Sequence, residues 1–162
     1  MESLFVIVLI IIVYIGLMFG LSQFIIPNLR KVSPSRNLPQ EFARIVDQLN
    51  QTVKDDKEFI AVLCKVIAKR YHSTRIKMLL YPRRFFITST SAMWTTLGTQ
   101  PCHIWNTLLA SGLIYSSRFH EKNIATKHTV VNGCIHQYLH LTFSNGSSLD
   151  VDPWGYGIGK VP

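Results

Sequence analysis

Residues 133–155 read GCIHQYLHLTFSNGSSLDVDPWG and contain two strand-like runs joined by a turn. Apolar and polar side chains largely alternate over residues 135–143, as expected for a half-buried strand. Ser144-Asn145-Gly146-Ser147 is a hairpin signal, and residues 149–152 form the returning run. An antiparallel hairpin is therefore predicted in this part of the chain.

The chain upstream of the hairpin has the apolar spacing of helices. One such pattern begins at Pro39, and a second follows Asp55-Asp56, where acidic residues suit a helix N-terminus. Pro101 suits the start of a third helix, which Gly112 is expected to end.

Two more strands are predicted near residues 114–119 and 125–131. The segment 73–98 is irregular and long for a compact domain, which indicates a functional loop. Helices followed by antiparallel strands indicate an α+β domain.

The first 26 residues predict a membrane anchor. The run from Leu4 to Ile26 is dominated by Ile, Val, Leu and Phe, and at helical rise it spans roughly 34 Å, enough for a hydrocarbon core of about 30 Å. The length and the missing basic start distinguish it from a signal peptide. We therefore expect an anchor at residues 1–26, a linker at 27–38 and a domain at 39–162.

The flanking charges predict a single-pass orientation with the domain in the cytoplasm. Arg30, Lys31 and Arg36 follow the span, whereas Glu2 precedes it. Three cysteines, an odd number, also fit a reducing compartment.

The net charge of +8 is unevenly distributed. No acidic residue occurs between Phe59 and His120, and eight basic residues do: Lys65, Lys69, Arg70, Arg75, Lys77, Arg83, Arg84 and Arg118. For a tethered domain, attraction to anionic lipid headgroups is the favoured explanation, with an anionic substrate as an alternative. Nucleic acid is disfavoured because the chain has no recognition motif.

Cys102, His136 and Asp152 are candidates for a thiol nucleophile, its base and the group that orients the base. Cys102 follows Pro101 at a predicted helix N-terminus, where an anionic sulfur is stabilised. His136 shares one face of its strand with Cys134, Tyr138 and His140, opposite the core-facing apolar residues.

Two alternatives accompany this assignment. Asp150 competes with Asp152 for His136, although Pro153-Trp154 favours Asp152 by fixing the backbone at the strand end. Zinc could find ligand types in Cys134, His136 and His140 with Cys102 or His103, but the spacing matches no tight zinc pattern. We therefore expect no metal and no cofactor.

Three motifs, in this order, resemble the transglutaminase-like superfamily. They are the helix that begins at Cys102, the His136-Gln137-Tyr138 strand and the Asp152-Pro153 strand end. The resemblance covers roughly residues 94–157 and implies a papain-like fold with Cys102, His136 and Asp152 as a catalytic triad.

The resemblance also implies a cysteine hydrolase of the peptidase or amidase kind, acting through an acyl-enzyme on a protein or peptide substrate. Gln100 or Trp94 could supply an oxyanion donor, and Tyr138 and Trp154 could bind substrate. The alternatives are a non-catalytic binding module at the membrane surface and a protein-crosslinking acyltransferase.

Overall fold

The computed structural model describes residues 2–20, 32–72, 80–131 and 134–157. Helix α1 covers Glu2–Gly20, and its window Ser3–Gly20 is long and apolar enough to cross a membrane, with none of it buried against the rest of the chain. The predicted anchor end at residue 26 and the first part of the linker lie outside the described residues. From Val32 onward the linker is described, and the Ser35 amide N–H donates to Ser111 Oγ at 3.0 Å.

Two amphipathic helices, as predicted, open the domain. Helix α2 covers Gln40–Thr52 and helix α3 covers Asp56–Arg70. The Asp55 side chain caps α3 by accepting from the Glu58 amide at 2.8 Å, which explains why the acidic pair marks the start of this helix.

The segment after α3 is more ordered than the sequence predicted. Strand β1, Tyr71–His72, pairs in parallel with β2, Gly98–Thr99. Between them lie a 3-10 helix, Pro82–Phe86, and helix α4, Thr90–Thr95, while residues 73–79 lie outside the described part of the chain.

Helix α5, Cys102–Tyr115, is the centre of the domain, and every residue from His103 to Ile114 is buried. It packs against α2 and α3, against α4, against strand β4 (Cys134–Thr142) and against helix α6 (Pro153–Gly157). A helix that is buried all round is expected to be apolar on every side, and α5 largely is.

The prediction that Gly112 ends this helix was wrong. Gly112 lies inside α5, and a Cβ there would lie only 2.9 Å from Leu63 Cδ2 and 3.3 Å from Phe42 Cζ. The glycine therefore allows α5 to approach α2 and α3 closely. The strand predicted at residues 114–119 is also absent from these described residues, because the helix continues to Tyr115 and a turn follows.

The three strands after α5 each begin and end within one residue of their predicted positions. Strand β3, Ile124–Val131, pairs with β4, and β4 pairs with β5, Ser148–Val151, all antiparallel. Residues Leu139 and Leu141 of β4 are fully buried, as predicted for its core face. The described domain is thus α+β, with helices first and an antiparallel sheet after them.

Candidate active site

Cys102 is the first residue of α5, and its side chain is half-buried. The turn before it is held by two hydrogen bonds: Trp105 Nε1 donates to the Gln100 carbonyl at 3.0 Å, and the Ile104 amide donates to the Pro101 carbonyl at 3.1 Å. The first N–H groups of a helix have no partner within it and lie at the positive end of its dipole. An anion formed at the sulfur or on a bound substrate is favoured at this position.

His136 and Asp152 meet at the end of the sheet. His136 Nε2 lies 2.8 Å from Asp152 Oδ2, and Asp152 directly follows β5. Cys102 interacts with the same imidazole, and this interaction also acts to raise the His136 pKa. A carboxylate, an imidazole and a thiol therefore form one continuous chain.

Burial and charge act on His136 in opposite directions. Its side chain is only 5% exposed, and this desolvation by itself would lower the imidazole pKa. Hydrogen bonding and electrostatic attraction from Asp152 and Cys102 outweigh burial and raise the pKa of His136 from 6.5 to about 9. The imidazole is therefore protonated at neutral pH beside the sulfur.

Helix α6 closes over this pair. The Trp154 ring lies 4.7 Å from the His136 ring, centroid to centroid, and is itself 6% exposed. A Cβ on Gly155 would lie 3.0 Å from Asp152 Oδ2, so the missing side chain leaves room for the carboxylate. Trp154, predicted as a substrate-binding residue, thus shields the imidazole from water.

Asn106 and Gln137 connect the cysteine helix to the histidine strand, and neither was predicted from the sequence. Asn106 Nδ2 donates to the Gln137 carbonyl at 2.8 Å, with both residues fully buried. Asn106 lies one turn after Cys102, and Gln137 follows His136. The signal was two polar residues at core-facing positions, since buried polar groups need partners.

The two side chains predicted as oxyanion donors are engaged elsewhere. Trp94 is 1% exposed, and its Nε1 donates to Glu41 Oε2 at 2.8 Å. Gln100 is fully buried, and its Nε2 donates to the Thr96 carbonyl. Both side chains are therefore already hydrogen-bonded within the domain, whereas the first backbone N–H groups of α5 have no partner within the helix.

The remaining predicted residues occupy distinct places. Tyr138 is half-buried on β4 opposite Lys127. Asp150, the competitor for His136, instead bonds to His140, with Oδ1 and Nδ1 2.6 Å apart. Within the described part of the chain, His, Cys, Asp and Glu side chains form no group of three that could hold a metal ion.

The comparisons with known proteins identify no relative. The chain has no significant match to a protein-family model, to a curated protein or to a solved structure.

Proposed function

We propose that the protein is a membrane-anchored cysteine hydrolase of the peptidase or amidase kind, with a transglutaminase-like domain. The observation that supports it best is the continuous contact from Asp152 through His136 to Cys102, with the thiol at the first turn of a buried helix. A protonated imidazole beside the sulfur favours the thiolate, which is the nucleophilic form of cysteine.

The reaction proceeds in two steps. Cys102 Sγ attacks the carbonyl carbon of an amide, backbone N–H groups of α5 stabilise the oxyanion, and His136 donates its proton to the departing amine. His136 then accepts a proton from water, whose oxygen displaces the sulfur and releases a carboxylic acid. Asp152 keeps the imidazole oriented and stabilises its charged form.

Helix α1 supports the proposed location. It is long and apolar enough to cross a bilayer, and the basic residues that follow it favour a cytoplasmic domain. Substrates of the enzyme are then polypeptides that come close to a membrane.

Iodoacetamide alkylation of the full chain, in a Cys134→Ser background, tests the thiol. We expect Cys102 to react rapidly at pH 6 because the thiolate is the reacting form, and His136→Ala to remove this low-pH reaction. Cys64 is an internal control, because it is fully buried and burial raises its pKa. Peptide mapping by mass spectrometry measures each rate; a Cys102 profile unchanged by His136→Ala contradicts the proposal.

A binding module is the second candidate, and the engaged side chains of Gln100 and Trp94 favour it. Without a side-chain donor the oxyanion depends on backbone N–H groups alone. Incubation with a peptide library separates the two candidates: products that form with the native chain and not with Cys102→Ala support the hydrolase. Retention of peptides without cleavage supports the module.

A further inference from the structure

We propose that residues 80–97 form a second contact with the membrane, by which the domain lies on a bilayer surface that carries anionic lipid. The docking depends on the proposed anchoring by α1 and is independent of catalysis.

Large apolar side chains are exposed in this segment. Leu80 is 71% exposed, Tyr81 48%, Phe86 65% and Leu97 56%. Among the described residues outside α1, the one further exposed large apolar side chain is Val130 on β3. Apolar groups gathered in one exposed segment mark an interaction surface.

Arg84 holds the two ends of the segment together. Its guanidinium lies 4.4 Å from the centre of the Tyr81 ring, and its Nη1 donates to the Thr99 carbonyl. A Cβ on Gly98 would lie 3.4 Å from the same Nη1 atom. The 3-10 helix and the Tyr81 that precedes it therefore lie beside the chain that follows Leu97.

The charge around the segment favours a bilayer with anionic lipid as its binding partner. Arg83 is exposed within the segment, and Lys65 and Lys69 are exposed on α3. The segment itself has no acidic residue, and Glu41, which contacts it at Trp94, is paired with Arg70. Aromatic, leucine and basic side chains together are typical of the membrane interface. Each basic residue near an anionic surface strengthens the attraction, which acts within a Debye length of about 10 Å.

The proposed anchor keeps this surface close to lipid. Ser35 is hydrogen-bonded to α5, and Gly20 ends α1, so the 15 residues from one to the other span at most about 50 Å. A tether of this length gives a high effective concentration, so a weak contact is sufficient for docking.

Docking also positions the candidate active site. Thr99, which accepts from Arg84, lies three residues before Cys102. Three residues of chain span at most about 11 Å, so docking holds the start of α5 near the bilayer, where juxtamembrane stretches of other polypeptides are the expected substrates.

Tryptophan quenching in vesicles tests the contact with the full chain. The native tryptophans are buried, so Phe86→Trp adds an exposed reporter. Ser144→Trp is the matched control, because exposed Ser144 lies beside Asp55 at the start of α3, about 22 Å along that helix from the β1–β2 end. Both variants are reconstituted in phosphatidylcholine vesicles containing phosphatidylglycerol, with lipids brominated near the headgroup as quenchers.

We expect the added fluorescence of Phe86→Trp to be lost and that of Ser144→Trp to be retained. In the Phe86→Trp chain, Arg83→Glu should restore the fluorescence, and the matched reversal Lys57→Glu should not. Equal quenching of the two reporters in chains that float with the vesicles overturns the docking alone. Failure of the chain to float with vesicles after alkaline extraction contradicts both anchoring and docking.

Discussion

His136 and His140 lie on the same face of β4, and each is hydrogen-bonded to an aspartate. The atoms are 2.8 Å apart in the His136–Asp152 pair and 2.6 Å apart in the His140–Asp150 pair, so distance does not distinguish them. The surroundings of the two pairs differ. The His136 side chain is 5% exposed, lies against Trp154 and interacts with Cys102. The His140 side chain is 25% exposed, and that of Asp150 is 56% exposed. The burial of His136 and its interaction with Cys102 thus make its aspartate pair the candidate catalytic pair.

The largest difference between the pairs should be in turnover. We expect His136→Ala to reduce amide hydrolysis by about 10²–10⁴-fold, since it removes the acid and base of the reaction. His140→Ala removes an exposed pair and should change the rate by less than about threefold, as surface pairs contribute little. Initial rates on a substrate found with the peptide library measure both variants, and comparable losses would place the catalytic base elsewhere.

The second difference should be in how stability depends on pH. The folded pKa of His136, about 9, lies above its ordinary value of 6.5, so the folded state binds an extra proton between these values. Its contribution, up to about 3 kcal/mol, is fully present below pH 6.5 and lost as pH rises through 9. Urea unfolding of the full chain in detergent, followed by tryptophan fluorescence, should show this decline.

The His136→Gln variant should have a flatter profile between pH 6.5 and 9, and the His140→Gln variant should keep the native decline. A native free energy of unfolding that rises over this range would contradict the raised pKa.

The smallest difference should be a shift in the alkaline limb of the pH–rate profile. Asp152→Asn removes the hydrogen-bonded charge that raises the His136 pKa, so the alkaline limb of the pH–rate profile, near pH 9 in the native chain, should move to lower pH. Asp150→Asn should leave the limb in place. Alkylation of Cys102 measured over the same pH range provides a second readout; a limb that moves equally in both variants would assign it to another group.

The strand register explains why alternation along the strand did not by itself separate the two aspartates. Asp150 lies directly opposite His140, whereas Val151 pairs with Leu139, so Asp152 reaches His136 on the diagonal beyond the paired residues. The two aspartates are two residues apart and therefore lie on the same face of an extended chain, so periodicity alone does not distinguish them. The choice of Asp152 rested on the Pro153 that follows, and it is the residue that the structure brings to His136.

Sequence patterns predicted the strands well but not the role of Gly112 or the pairing of Asn106 with Gln137. Alternation located β3, β4 and β5 well, because half-buried strands have a strong period of two. Gly112 was misread because a glycine ends a helix in one context and permits close packing in another, and only the contacts with Leu63 and Phe42 decide which. Asn106 and Gln137 lie 31 residues apart, a pairing that only the fold reveals.

Complete burial of α5 has a consequence for the folding of the site. A helix enclosed by α2, α3, β4 and α6 has no way to open by itself, so its amide protons should exchange only in global unfolding. The short helix α6, which carries Trp154, packs on α3 and α5 with only five residues, and local opening would first uncover the imidazole there. The reactivity of Cys102 would then depend on whether the whole domain is folded. Local opening of α6 would determine how often the His136 side chain is exposed to water.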